Sequence, residues 1–433
     1  MAKTLTTLVA ALATAAPAVA GVTEAELSAA AEAIQPRMIE WRRDFHQNPE
    51  LSNREFRTSK VIAEHLQTLG LEVHTGIAHT GVAAVLRGGR PGPTIALRAD
   101  IDALPVTERS DLPFRSTATA EYRGQQVGVM HACGHDAHTA ILMAAAEVLA
   151  ARREDLPGTI LFVFQPAEEG APEGETGGAS LMLEEGLFNL AQPEAMFGLH
   201  VFYSLQTGQV GYRPGPFMAG SDFFRVVVHG QQTHGASPWA GIDPVVVSAQ
   251  IIEALQTIVS RQLDITEVPA VVTVGAIQGG TRYNIIPDSV ELLGTIRTFR
   301  PEIREDVLAR VKRTVESTAE AAGARAELIL ATTPNPALIN DEALTRRMVP
   351  VLERVAPAGA VPIGLQTTAE DFAYYAREVP SLFFWVGITP PGTEGAAPNH
   401  SPLFHVDEDG LITGLKAMLA VAVDYLEHGP QGP

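Results

Sequence analysis

Nine consecutive residues, Met130-His131-Ala132-Cys133-Gly134-His135-Asp136-Ala137-His138, hold three imidazoles, a carboxylate and the only cysteine of the chain. That density suits a metal site. On a continuous helix Cys133 and His135 would project to nearly opposite sides, because side chains two apart do not face each other. A loop through Gly134 lets both converge, and a helix can then start with Asp136 as N-cap ahead of the apolar run Ala140-Ile141-Leu142-Met143-Ala144. Thiolate with neutral imidazole suits zinc or another borderline first-row metal, since soft sulfur disfavours calcium and magnesium. The plainer alternative is a buried thiol among scattered surface histidines.

Other chemistry-bearing residues stand where strands are expected to end. Residues 94–98 read as a strand running into Ala99-Asp100-Ile101-Asp102. Aspartates two apart in extended chain share a face, so Asp100 and Asp102 are placed to address a common centre; the alternative is a turn with solvated carboxylates. Residues 158–164 are nearly all apolar, which predicts a central, parallel strand. It leads into Gln165-Pro166-Ala167-Glu168-Glu169-Gly170, where adjacent glutamates point opposite ways, so that one can bind metal while the other faces substrate. A strand at 195–199 precedes His200, and one at 381–387 precedes the proline-rich loop containing His400. These positions lie past the carboxyl ends of expected strands, where open α/β sheets place their sites. They count collectively, because a single histidine at such a place is most often structural.

The elements that must carry these residues are helices at 24–45 and 57–69, short strands at 71–74 and 82–86, and the strands just named: an α/β catalytic domain with a doubly wound sheet, from 21–214 and 332–433. Between 215 and 331 the order becomes strand 221–228, helix 244–262, strands 270–277 and 289–297, helix 301–322 and strand 325–331. That βαββαβ order is the ferredoxin-like motif, expected here as an inserted domain. Three of its features stand apart from core duty: the turn Thr233-His234-Gly235-Ala236-Ser237-Pro238, Asn284 before Ile285-Ile286-Pro287, and Arg297 at a strand end.

With 433 residues, 46% of them hydrophobic, the chain can bury a large core, and its formal charge of -19 disfavours nucleic-acid phosphates and anionic membranes as partners. The first twenty residues differ in kind. Lys3, an apolar run at 5–16, Pro17 and Ala18-Val19-Ala20 before Gly21 read as a secretory signal peptide, so the mature protein is expected to be exported, periplasmic or secreted. The run is too short to span ~30 Å of hydrocarbon. In an oxidising compartment one cysteine cannot form an internal disulfide, so Cys133 packs, reacts or binds metal.

Assembled, the pattern resembles peptidase family M20, in its amidohydrolase branch of hippurate hydrolases, N-acyl-amino-acid amidohydrolases and auxin-conjugate hydrolases. The resemblance covers nearly all of the mature chain. It rests on His46-Gln47-Asn48-Pro49-Glu50-Leu51-Ser52, Leu97-Arg98-Ala99-Asp100-Ile101-Asp102-Ala103-Leu104-Pro105, the Cys133 loop, Phe164-Gln165-Pro166-Ala167-Glu168-Glu169-Gly170, Gly198-Leu199-His200, Asn284-Ile285-Ile286-Pro287, Glu370-Asp371-Phe372 and His400-Ser401-Pro402-Leu403-Phe404. It implies two divalent metal ions per subunit (zinc, manganese, cobalt or nickel) held by Cys133, His135, Glu169, His200 and His400, with the cysteine replacing the bridging aspartate of other branches. Asp100 and Asp102 would orient ligands. Glu168 would be the general base toward a metal-bound water, and His234 the oxyanion donor, reaching the neighbouring protomer's site from a lid that also makes a homodimer. Asn284 and Arg297 match positions that bind the substrate's carboxylate.

The implied reaction is cleavage of the amide bond of N-acyl amino acids or small peptides. Carboxypeptidase and dipeptidase activities are the alternatives, and an exported binding protein without catalysis is a remote one. One departure stands out. The usual lid turn has the form G-G-H-A-A-x-P-H, and here Trp239 stands where the second histidine would be. That bears on substrate preference rather than on the class of reaction.

Overall fold

A computed structural model describes residues 21–267, 269–331 and 334–432; the expected signal peptide, residues 1–20, lies outside the described residues. Four strands rich in apolar residues, Pro157–Gln165, Arg90–Asp100, Ala195–Gln206 and Ser381–Thr389, lie side by side and parallel. Their side chains alternate between two cores. Ile160, Phe162 and Phe164 face one with the helices Glu24–Gln47, His135–Ala150 and Leu411–His428, whereas Leu161 and Val163 face the other. Burial on both faces is why residues 158–164 have no polar alternation. Truncating Phe162 to alanine in such packing costs about 3–5 kcal/mol.

Flanking strands complete an eight-stranded mixed sheet, with Glu72–Ile77 and Gly81–Arg87 at one edge and Val210–Tyr212 and Ala360–Pro362 at the other. Pro157–Gln165 is therefore parallel only to Arg90–Asp100; its other neighbour, Gly81–Arg87, is antiparallel.

Two local expectations are corrected. The helix begins at His135, with Gly134 as N-cap in the left-handed region (φ 101°), so Asp136 is not the cap. Its carboxylate is engaged elsewhere: Oδ2 lies 2.8 Å from Arg42 Nε and 2.8 Å from His46 Nδ1, both on the first helix. Likewise His200 is not beyond a strand end but inside Ala195–Gln206, paired in register with Trp385, because the ladder with Ser381–Thr389 continues to Gln206. His400 lies well past Thr389, in a loop.

The stretch expected to be ferredoxin-like forms a separate antiparallel sheet in the order Val271–Gly279, Ser289–Thr298, Gly220–His229, Arg325–Leu330. Helices Pro244–Thr257 and Pro301–Ala321 pack on it, and Phe224, Val226, Ile251 and Val307 share its core. Asp243 starts the first of these helices by accepting the Val245 amide at 2.9 Å. Among the described residues no helix is long and apolar enough to cross a membrane.

Candidate metal centre

The loop at Cys133, the turn after Pro157–Gln165, the middle of Ala195–Gln206 and the loop at His400 meet at one place. Cys133 Sγ lies 3.3 Å from His200 Nε2 and 3.3 Å from His400 Nε2, and His400 Nε2 is 3.1 Å from Glu169 Oε1. His135 Nε2 faces Glu168 Oε2 at 3.9 Å and Glu169 Oε1 at 4.0 Å. Ligand atoms of Cys133, His135 and His200 all lie within 4.8 Å of one another, and so do those of Cys133, Glu169 and His400. One sulfur is thus common to two triads.

Two of the inward imidazoles are fixed by their outer nitrogens. His200 Nδ1 donates to the Val201 carbonyl at 2.7 Å and His135 Nδ1 to Asp102 Oδ1 at 3.1 Å, acceptors that assign the proton to Nδ1 and turn each Nε2 lone pair inward. His135 Nε2 is buried without a hydrogen-bond partner, and Glu169 Oε1, buried as well, faces His400 Nε2. His138, by contrast, is fully committed: Nδ1 donates to Asp100 Oδ1 at 2.5 Å while Nε2 accepts the Val201 amide at 2.8 Å. It orients and does not ligate.

The field at the centre favours positive charge. Burial and the Glu169, Glu168 and Asp100 carboxylates push the Cys133 thiol well above its ordinary range, so a thiolate there requires a cation beside it. Burial alone would depress His135, yet Asp100 and Asp102 outweigh it and lift its proton affinity to about 10. The unpartnered His135 Nε2 and a thiolate–imidazole–carboxylate donor set fit borderline divalent metals.

A second layer holds these groups. Asp102 Oδ2 accepts the Ser52 hydroxyl at 2.7 Å and the Glu169 amide at 3.1 Å, so one carboxylate steers both His135 and the glutamate turn. Arg98, fully buried, donates to Gln165, Asp100, Glu370 and Asp371 at 2.7–3.1 Å. His400 sits at φ 70° and is held by its amide on the Ala132 carbonyl at 2.7 Å.

The centre opens into a cavity of about 1010 Å³ between the two sheets' bodies, lined by Cys133, Glu168, Glu169, His200 and His400 and, from the smaller sheet, by Arg297. The other two lid candidates are not there. His234 is exposed, in the two-residue strand Thr233–His234, and its Nδ1 accepts the Ala236 amide at 2.9 Å. Asn284 adjoins it, accepting the Gly235 amide on its carbonyl at 2.9 Å, and Trp239 and Tyr283 nearby are 83% and 94% exposed. The structure therefore gathers the five expected ligands, Glu168, both aspartates and Arg297, and sets His234 and Asn284 together elsewhere on the smaller body.

Sequence reasoning passed over Arg98, Gln165 and Ser52 as positioning groups and left Glu370 and Asp371 without a role. A charge inside an apolar strand was the available signal for Arg98. Its partners Glu370 and Asp371 lie more than two hundred residues away in the chain, beyond any local pattern.

Comparison with known proteins agrees with this geometry. Residues 96–424 match the family described as peptidase family M20/M25/M40. Thermostable carboxypeptidase 2 of Saccharolobus solfataricus is 38% identical over 393 residues, 90% of this chain and 96% of that one. N-acetylcysteine deacetylase of Bacillus subtilis is 38% identical over 404 residues, 92% of this chain and 98% of that one. Among solved structures, the Bacillus subtilis YXEP protein, described as a dinuclear metal-binding peptidase of the M20 family, superposes with a TM-score of 0.75 at 37% identity, covering 92% of this chain and 99% of that one.

Proposed function

Because the chain belongs to peptidase family M20/M25/M40 and is a metallo-hydrolase of amide bonds, we propose that it splits N-acyl amino acids into a carboxylic acid and a free amino acid. One observation carries this reading: the Cys133 sulfur is common to two ligand triads, with Glu168 beside them at the floor of a cavity that Arg297 also lines.

Cys133, His135 and His200 would hold one divalent ion, and Cys133, Glu169 and His400 a second. When bound, such ions acidify a water and polarise the scissile carbonyl. Glu168 takes the proton of the attacking water and passes it to the leaving nitrogen. Burial, then the Glu370, Glu169 and Asp371 carboxylates, raise its proton affinity well above the carboxylate range, and the two cations beside it would lower it so that the carboxylate can accept that proton. Arg297, half-buried with no carboxylate within ion-pair distance among the described residues, receives the substrate's carboxylate. His234 supplies the oxyanion donor from the lid of a partner subunit. Its exposure, and that of Val271 and Ile277 on an edge strand of the same body, support a two-fold dimer through the lid. Export with removal of residues 1–20 completes the proposal and rests on the sequence alone.

A second reading is favoured by the carboxypeptidase relative: Arg297 would then take the C-terminal carboxylate of a peptide. The test is turnover by purified protein loaded in turn with zinc, manganese, cobalt and nickel, on N-acyl amino acids, dipeptides and longer peptides. Highest kcat/KM on N-acyl amino acids is expected. Faster cleavage of peptides would favour the carboxypeptidase or dipeptidase reading, and binding without turnover of any would reduce the chain to a binding protein.

A further inference from the structure

Glu55 is fully buried, belongs to neither ligand triad and has no part in the reaction just described. One of its oxygens is nonetheless spent on the site. Oε1 accepts the Ala167 amide at 3.0 Å, and Oε2 accepts the Thr80 hydroxyl at 2.5 Å. Ala167 immediately precedes Glu168 and Glu169 and stands at φ 52°, a left-handed conformation that costs a non-glycine residue about 1–2 kcal/mol and must be imposed by its surroundings. That φ decides where the next two side chains point.

The turn is gripped at two amides. Glu55 holds Ala167, and Asp102 holds Glu169. Both grips trace to one short segment, because Ser52, three residues before Glu55, donates to Asp102. The segment is itself anchored: the Glu50 carbonyl takes the Ala103 amide at 2.8 Å, and Asn53 Nδ2 donates to the Thr176 carbonyl at 3.0 Å on the far side of the glutamate turn. We propose that Glu55 is a positioning residue, which fixes the left-handed turn at Ala167 so that Glu169 faces the ligand triad while Glu168 faces substrate.

Burial, with the Asp102 carboxylate close by, raises the Glu55 proton affinity to about 8. The neutral acid has glutamine as its isostere, which supplies the conservative variant. Glu55→Gln keeps an acceptor for the Ala167 amide; Glu55→Ala removes it; Glu55→Asp keeps the carboxyl group but withdraws it by one methylene.

The test combines three readouts on the full chain. Hydrogen exchange of the peptide spanning residues 165–170 reports the turn directly, titration with zinc or manganese reports Glu169, and kinetics on an N-acyl amino acid report Glu168. The kinetic arm rests on the proposed function, whereas the first two do not, so a protein without turnover would defeat that function and still decide the role of Glu55. Expected for Glu55→Ala and Glu55→Asp are faster exchange confined to this turn, weaker uptake of the second ion, and kcat lower by about 10²-fold with KM within about threefold, the cost of displacing reacting groups by about 1 Å. Glu55→Gln should restore all three. Unchanged exchange and kcat in Glu55→Ala would overturn the proposal. So would acceleration of exchange across the whole chain with Glu55→Gln no better than Glu55→Ala, which would make Glu55 a residue of general stability.

Discussion

His135 and His234 are both assigned to one reaction, yet they are built in opposite ways. His135 is fully buried, with Nδ1 fixed on Asp102 at 3.1 Å and Nε2 aimed at the glutamates. His234 is exposed, tied only to an amide of its own turn, with Trp239 and Tyr283 open to solvent beside it. The larger body thus arranges its groups before substrate arrives, with His135 and His200 each fixed by an acceptor on the outer nitrogen, which is how reorganisation is avoided during reaction. The smaller body presents the His234 ring on its surface, an arrangement that the proposed dimer would complete.

The largest expected effects break the buried side. Chelation should abolish turnover, and zinc or manganese should restore it. Cys133→Ser should lose metal in both triads at once, because the sulfur is common to them; full metal content by elemental analysis would contradict that sharing. Glu168→Gln should retain metal while kcat falls by about 10²–10⁴-fold, and Glu169→Gln should lose metal instead. The reverse pattern would exchange their roles.

On the exposed side, His234→Ala should fold, load metal normally and lose about 10²–10³ in kcat, read by steady-state kinetics beside metal content and melting temperature. Asp102→Asn tests the backing layer and should weaken metal affinity by about 10–100-fold, measured by competitive titration. Trp239→His should change least: relative kcat/KM among acyl groups shifts by several-fold while the reaction persists. If Trp239→His abolished turnover on every substrate, its place in the lid would be more than a wall for the acyl group.

The same contrast explains what the sequence made legible. Burial on two faces erased alternation from residues 158–164, whereas the order of strands and helices in the smaller body was legible, and two of its strands, Gly220–His229 and Ser289–Thr298, alternate buried with less buried residues. Asp100 and Asp102 followed from the two-residue period of extended chain. Local pattern failed where partners are distant. Asp136 resembled a helix cap, but Arg42 and His46, about ninety residues earlier, claim its carboxylate. His200 looked like the end of a strand because its own neighbours do not reveal that Ser381–Thr389 continues the ladder. Nor does any spacing connect Glu55 to Ala167, since that contact exists only once the segment at Ser52 has docked beneath the glutamate turn.

The division between an arranged body and an exposed lid is tested most directly by mixing two inactive proteins. His234→Ala retains Glu168 and the ligands; Glu168→Gln retains His234. With subunit exchange verified by differently tagged chains, N-acyl amino acid hydrolysis should reappear in the mixture, because one subunit's intact body meets the other's intact lid. Absence of recovered activity in verified heterodimers would contradict it, returning His234 to its own subunit's cavity or removing it from the reaction.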